Sequence, residues 1–159
     1  MSKEKAKSQS TTSPDNSVNA INNRLFFRLV QSSNLYERGV QHHVNVSSVQ
    51  GAVLGAVSRN ADLSMALADL VEYLAVSRQN LDAVLKRLER QGYVERVESP
   101  QDRRVRIVRM TPTGYEFWTD ILQQSFQFYR KITSGISSEE KKVLTDLLIR
   151  IGHNLRKPD

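Results

Sequence analysis

The stretch Ser77-Arg78-Gln79-Asn80-Leu81-Asp82-Ala83-Val84-Leu85-Lys86-Arg87-Leu88-Glu89-Arg90-Gln91-Gly92-Tyr93-Val94 decides how this chain is read. Ser77 is an N-cap residue type, because its hydroxyl oxygen can accept one of the backbone N–H groups that an opening helix leaves without a partner. Leu81, Val84, Leu85 and Leu88 then recur at i, i+3, i+4 and i+7, which sets them on one face of a helix, and Gly92 supplies its stop. With that face turned inward, Gln79, Ala83, Lys86, Arg87 and Arg90 point outward, flanked by Arg78 and Asn80. The outer face is polar and basic, with a small residue at its centre.

Working outward, Asn60-Ala61-Asp62 is turn-like, and Ser64 is expected to cap a short helix that buries Leu67, Leu70, Val71 and Leu74. Two short capped helices joined by a tight turn make a helix-turn-helix. Beyond Gly92 the period changes to two. Tyr93, Val94, Arg96 and Val97 stand on one side of a turn at Ser99-Pro100, with Val105, Ile107 and Val108 on the other, which predicts a hairpin. Arg103, Arg104, Arg106 and Arg109 fall within seven residues with no intervening acid, and Asp102 stands immediately before them.

A helix-turn-helix followed directly by a hairpin is a winged helix, and both of its polar surfaces suit duplex DNA. Arg and Lys donate to guanine O6 and N7, Asn and Gln pair with adenine N6 and N7, and Ala83 permits close approach to the major groove. Ser77, Arg78, Gln79, Asn80, Lys86 and Arg87 are the candidate contacts from the helix. Asp102, Arg103, Arg104 and Arg106 are those from the wing, where each phosphate neutralised releases counterions and Asp102 can hold a neighbouring guanidinium extended.

Helical periodicity continues on both flanks. Val18, Ile21, Leu25, Leu29, Tyr36 and Val40 recur at three- and four-residue steps, and Phe26 and Val30 widen the apolar arc. Ser47 and Gln50 form a capping box ahead of Val49, Val53, Leu54 and Val57. Thr111-Pro112 opens a helix whose buried face is expected to carry Trp118, Ile121, Leu122 and Tyr129. Ser137 with Glu140 opens a last one bearing Val143, Leu144, Leu147, Leu148, Ile151 and Leu155. Residues 1–17 hold no large aliphatic residue after Met1 and are expected to be a disordered tail. The expected fold is mainly α. A winged helix-turn-helix with a two-stranded wing, residues 46–111, is flanked by helices in residues 18–45 and 112–159.

Composition narrows the function classes. The chain has 159 residues, 39% of them hydrophobic, enough for one core, and its net charge of +6 favours a polyanionic partner. The absence of cysteine excludes disulfides, thiolate nucleophiles, cysteine zinc sites and thiol redox sensing. No segment has the apolar length of a membrane span, and the polar start lacks a signal-peptide core, so no membrane partner is expected and the expected location is cytoplasmic. No phosphate-cradling glycine loop, nucleophile elbow or metal motif occurs, so no catalytic residue, cofactor or metal site is assigned. His42 and His43 are adjacent, point in different directions on a helix and suit a helix C-terminus, while His153 is far away in sequence.

Residues Leu74 to Gly114 resemble the MarR family of winged-helix transcription regulators. Leu74-Ala75-Val76-Ser77 is similar to the family's turn into its recognition helix. Leu85 to Val94 resembles its L-x-x-L-E-x-x-G-h-V stretch, Pro100-Gln101-Asp102-Arg103-Arg104 its P-x-D-x-R wing, and Met110-Thr111-Pro112-Thr113-Gly114 its L-T-x-x-G. Two positions depart from the pattern: Val71 stands where a small Ala is common, and Ala75 where Gly is often used, a difference that matters if that residue needs positive φ.

The resemblance implies a homodimer with interlocking first and last helices and two reading heads on a pseudo-palindromic operator, about 34 Å apart. The wide apolar arc of the first helix and the six-residue stripe of the last agree with that. It further implies a repressor released by a small aromatic carboxylate or its CoA thioester, through a branch of the family that responds to aromatic acids. For the ligand, Arg28 is the candidate carboxylate anchor, with Tyr36 and Trp118 as aromatic walls. The alternative is an architectural or counter-silencing DNA-binding protein of the same fold that answers to no effector.

Overall fold

The computed structural model describes residues 14–157. Along the chain run α1 (Pro14–Val44), α2 (Ser48–Val57), β1 (Ser64–Ala66), α3 (Leu67–Leu74), α4 (Arg78–Arg90), β2 (Val94–Glu98), β3 (Arg106–Met110), α5 (Pro112–Ile132) and α6 (Ser138–Leu155). The fold is mainly helical, with one small antiparallel sheet in the order β1-β3-β2.

Side-chain hydroxyls set the helix starts. Ser77 Oγ accepts the Asn80 N–H at 3.1 Å, Thr111 Oγ1 accepts that of Gly114 at 2.9 Å, and Ser47 and Ser137 each complete a capping box. Two starts differ from expectation. α1 opens at Pro14, so residues 14–17 are helical and not part of a tail, since proline's fixed φ suits a first turn. The remainder of the expected tail, residues 1–13, lies outside the described residues.

Ser64 does not cap α3. It opens β1 instead, pairing with Arg109 of β3 while its hydroxyl donates to Asp62 Oδ2 at 2.6 Å, and α3 begins at Leu67 with no side-chain cap. The wing hairpin therefore gains a third strand on the far side of β3. Three residues are too few to print an alternation in the sequence, and antiparallel pairing with the free edge of β3 is what makes β1 a strand.

The core lies inside the winged helix. Val53, Leu54 and Val57 of α2, Leu70 of α3, Leu81, Leu85 and Leu88 of α4, and Val108 of β3 are fully buried together. α5 leans on this core through Ile121 and Phe128, with Trp118 half-buried, whereas Tyr129 is exposed, against the sequence expectation. α1 joins it only through Val40 and Val44 near its end. Elsewhere α1 presents Ile21 and Phe27 at 65% and 64% exposure, and α6 buries none of its residues.

The start of α5 is lashed to the wing. Thr111 donates its N–H to Tyr93 O and its hydroxyl to Gly92 O, and the Tyr93 and Phe117 rings stack with centroids 4.1 Å apart. A Cβ on Gly114 would stand 1.9 Å from Tyr93 O, so this crossing admits only glycine. That is the physical content of the Thr111-Pro112-Thr113-Gly114 motif.

Between α3 and α4, Ala75 takes the left-handed conformation, φ 52° and ψ 38°. For an L-residue with a Cβ this costs about 1 kcal/mol. Ala75→Gly is expected to stabilise the protein by about 0.5–1 kcal/mol, read as a higher urea midpoint with an unchanged slope. A lower midpoint would mean that the added freedom of the unfolded chain outweighs the relieved strain.

Candidate nucleic-acid interface

Every residue expected on the outer face of α4 stands there. Arg78, Gln79, Asn80, Lys86, Arg87 and Arg90 are all exposed. Arg78, Arg87 and Arg90 join no ion pair among the described residues, whereas Lys86 Nζ lies 2.9 Å from Asp82 Oδ2, one helical turn away. Ser77 is exposed but its oxygen already serves the Asn80 N–H, so the cap and any phosphate contact must share one hydroxyl.

A residue that the sequence reading placed only in a strand proves central to this face. Arg96 of β2 reaches α4 with its whole fork: Nε and Nη2 donate to the two oxygens of Glu89 at 2.8 and 2.6 Å, and Nη1 donates to Asp82 at 2.6 Å. The Glu89 carboxylate first, and Asp82 second, hold the Arg96 guanidinium even more firmly protonated than usual. On the other side, Lys86 first and Arg96 next hold the Asp82 carboxyl below the ordinary carboxylate range. The signal was present: strand alternation puts Arg96 on the same face as buried Val94, and Asp82 and Glu89 are two turns apart on the facing helix.

At the wing, Asp102 Oδ1 accepts the Arg104 backbone N–H at 2.9 Å and lies 3.4 Å from Arg104 Nε. The Arg104 side chain is 94% exposed at the tip, with Arg103 beside it in no ion pair among the described residues. Lower on the hairpin the arginines are engaged. Arg106 pairs with Glu98 at 3.2 Å and Arg109 with Glu95 at 3.5 Å, each directly opposite its partner in the β2–β3 register. Of the expected wing contacts, Arg103 and Arg104 therefore present the least encumbered charge.

Behind the reading head, where α2 and α3 meet α1 and α5, lies a cavity of about 350 Å³. Tyr36 and Trp118 line it as expected, with Tyr73, Tyr129 and Arg59. The Tyr36 and Tyr129 hydroxyl oxygens are 3.4 Å apart, and burial, followed by the Tyr129 hydroxyl, raises Tyr36 above the usual phenol range. The small residues of α2 make room: a Cβ on Gly55 would come within 3.1 Å of the Trp118 ring.

Arg28 does not share this wall. It is exposed two turns earlier on α1, where Nη1 donates to Gln31 Oε1 at 2.7 Å. Arg59, just beyond α2, was not singled out in the sequence because it ends an apolar helix with no pattern of its own. Among the described residues no group of three His, Asp or Glu side chains is gathered as a metal site requires. His43 instead stacks on Phe128, with Nδ1 2.9 Å from Gly39 O.

The MarR family model matches residues 44–105, the span from the end of α1 through the wing tip. The transcriptional activatory protein BadR of Rhodopseudomonas palustris is 35% identical over 153 residues, covering 91% of this chain and 87% of BadR. The chain belongs to the MarR family. Its structure resembles Sco3205, a MarR family regulator from Streptomyces coelicolor in complex with DNA, with TM-score 0.77 and 20% identity over 87% of this chain and 89% of that one. It also resembles BpsR of Bordetella bronchiseptica, whose DNA binding is regulated by 6-hydroxynicotinic acid, with TM-score 0.58 and 23% identity over 77% and 98% of the two chains. The protein is thus a DNA-binding transcription regulator, and its relatives are regulators and not enzymes. No helix among the described residues is long and apolar enough to cross a membrane.

The Arg96 fork yields a pH-dependent expectation. Asp82 has a lowered pKa in the folded chain, so its contribution to stability is complete above the unfolded carboxylate range, near pH ~4, and is lost as pH falls through the folded value. Arg96→Met should lower the urea midpoint at pH 7, and the gap to wild type should narrow below about pH 4. A gap that stays constant with pH would assign the effect to packing of the arginine stem.

Proposed function

We propose that the protein acts as a homodimer that grips a pseudo-palindromic operator with two α4 helices and two wings, and that a small aromatic carboxylate or its CoA thioester in the cavity changes that grip. The observation that carries the reading is the cavity itself, walled by Tyr36 and Trp118 where the reading head meets α1 and α5. An occupant there touches both bodies at once, so it favours whichever relative placement it fits. BpsR, regulated by 6-hydroxynicotinic acid, supports an aromatic acid as the class.

Residues 46–111 are the DNA-reading unit in this proposal, and α1, α5 and α6 the dimerising one. Support for the dimer comes from the apolar side chains that α1 and α6 leave in water, Ile21, Phe27, Leu144 and Leu147 among them. Contiguous exposed apolar surface of this kind is characteristic of an interface. On DNA, Ser77, Arg78, Gln79, Asn80, Lys86 and Arg87 face the major groove, while Asp102 orients Arg104 toward the adjacent minor groove, with Arg103 and Arg106 on phosphates.

Repression relieved by the ligand is the output that the resemblance implied, and it stands beside the name of BadR, an activatory protein. One grip serves both outputs, because the sign follows from where the operator lies relative to the polymerase. The proposal therefore concerns the grip.

Fluorescence anisotropy on the DNA upstream of the protein's own gene, repeated with a panel of aromatic acids and their CoA thioesters, tests it. Specific binding that one compound shifts is the expected result; specific binding indifferent to all of them moves the protein to the effector-free architectural reading. In the same assay Arg104→Ala should weaken operator binding by roughly tenfold or more, with the dimer intact by size-exclusion chromatography. Unchanged affinity and salt slope would remove the wing from the interface.

A further inference from the structure

We infer that Arg59 reads the charge of the cavity's occupant and reports its arrival to α3 through Tyr73, so that the site prefers an aromatic carboxylate to the matching neutral amide. This rests on the ligand-gated reading above and deepens it. Among the described residues, Arg59 is the only charged one lining the cavity, whose other walls are aromatic, aliphatic, small or hydroxyl-bearing. An anion entering so apolar a space loses water, and it stays only where a cation replaces that water.

Arg59 is free to do so. Its guanidinium has five N–H donors, of which one, on Nη1, goes to the Tyr73 hydroxyl oxygen at 2.9 Å. No carboxylate lies within ion-pair distance among the described residues, in contrast to Arg96, Arg106 and Arg109. Its Cζ stands 5.5 Å from the centroid of the Tyr73 ring, which holds the fork at the cavity wall without neutralising it. The remaining donors can take a carboxylate bidentately, and an amide, with one acceptor oxygen and no charge, cannot replace it. The Tyr36–Tyr129 hydroxyl pair adds hydrogen-bonding capacity for a ring substituent and no second positive charge.

The same contact links the site to the reading head. Arg59 follows α2, whereas Tyr73 is the penultimate residue of α3, two positions before the left-handed turn at Ala75 that aims α4. A carboxylate on the remaining donors draws on the same guanidinium that holds the Tyr73 hydroxyl. Its binding is thereby coupled to the placement of α3, by a factor that must be the same for ligand on DNA binding and for DNA on ligand binding.

Trp118 makes the test direct, since it is the single tryptophan of the chain and lies in the cavity wall. Its fluorescence is titrated with benzoate, 4-hydroxybenzoate and benzamide, alongside operator anisotropy, for the full chain and for Arg59→Gln, Arg59→Lys and Tyr73→Phe, with folding checked by circular dichroism. The acids are expected to bind wild type at least about tenfold more tightly than benzamide. Arg59→Gln should abolish that preference and Arg59→Lys keep part of it, which carries the test should the glutamine variant fail to fold. Tyr73→Phe should retain the preference but reduce the factor by which an acid changes operator affinity. Acids that bind Arg59→Gln as well as wild type, or an unaltered coupling factor in Tyr73→Phe, would overturn this inference while leaving ligand gating standing. Silence of Trp118 and of operator affinity toward every aromatic acid and CoA thioester would overturn the gated reading itself, and this inference with it.

Discussion

A single guanidinium, that of Arg96, joins the two surfaces on which the candidate interface depends. Through Glu89 and Asp82 it ties β2 to α4 with three charge-assisted hydrogen bonds of 2.6 to 2.8 Å. A helix fitted to one groove and a hairpin tip reaching the next are useful together only if their separation is fixed, and Leu81, Leu85 and Leu88 seat α4 in the core by contacts that are not directional. The fork adds directional bonds to that seating. It also explains the acids on an otherwise basic helix: Asp82 and Glu89 face the strand, leaving Arg78, Arg87 and Arg90 on the outer side without an ion pair among the described residues.

The same economy governs the hairpin. Glu95 and Glu98 stand opposite Arg109 and Arg106 across the β2–β3 ladder, so the cations low on the wing are balanced across the strands, whereas at the tip Asp102 pairs with Arg104 and leaves Arg103 without an ion pair among the described residues. Exposed cations that no strand acid opposes consequently stand at the outer face of α4 and on the loop after Pro100. Exposed ion pairs of this kind contribute little to stability, and their effect here is to decide where the positive potential lies.

What was legible in the sequence was whatever repeats. The i, i+3, i+4, i+7 spacing of Leu81, Val84, Leu85 and Leu88 placed α4, the hydroxyl caps placed four helix starts, and the change to period two placed the hairpin. What escaped was set by contacts between distant segments. β1 exists because β3 offers it an edge, and its three residues carry no pattern. Ala75 looked like a mild departure from a glycine and proves to sit at φ 52°. Arg28 is the anion anchor that its place along α1 suggests, yet only tertiary structure could show that the cavity opens two turns later and that Arg59, from the turn after α2, stands in its wall. Tyr36 and Trp118 were found because aromatic residues at helical spacing advertise themselves.

The position of the cavity follows from the length of α1. Thirty-one residues make a helix of roughly 46 Å, and only its last turns share that core, through Val40 and Val44. Exposure falls along it from 54% at Leu35 to 37% at Tyr36 and 5% at Val40. The cavity lies at this boundary, with Tyr36 and Val40 both in its wall. On one side of the boundary α1 is bound to the reading head; on the other its apolar residues stay exposed among the described residues. In the proposed gating, a molecule seated there touches the stretch of α1 where the two regimes meet, so its fit bears on both.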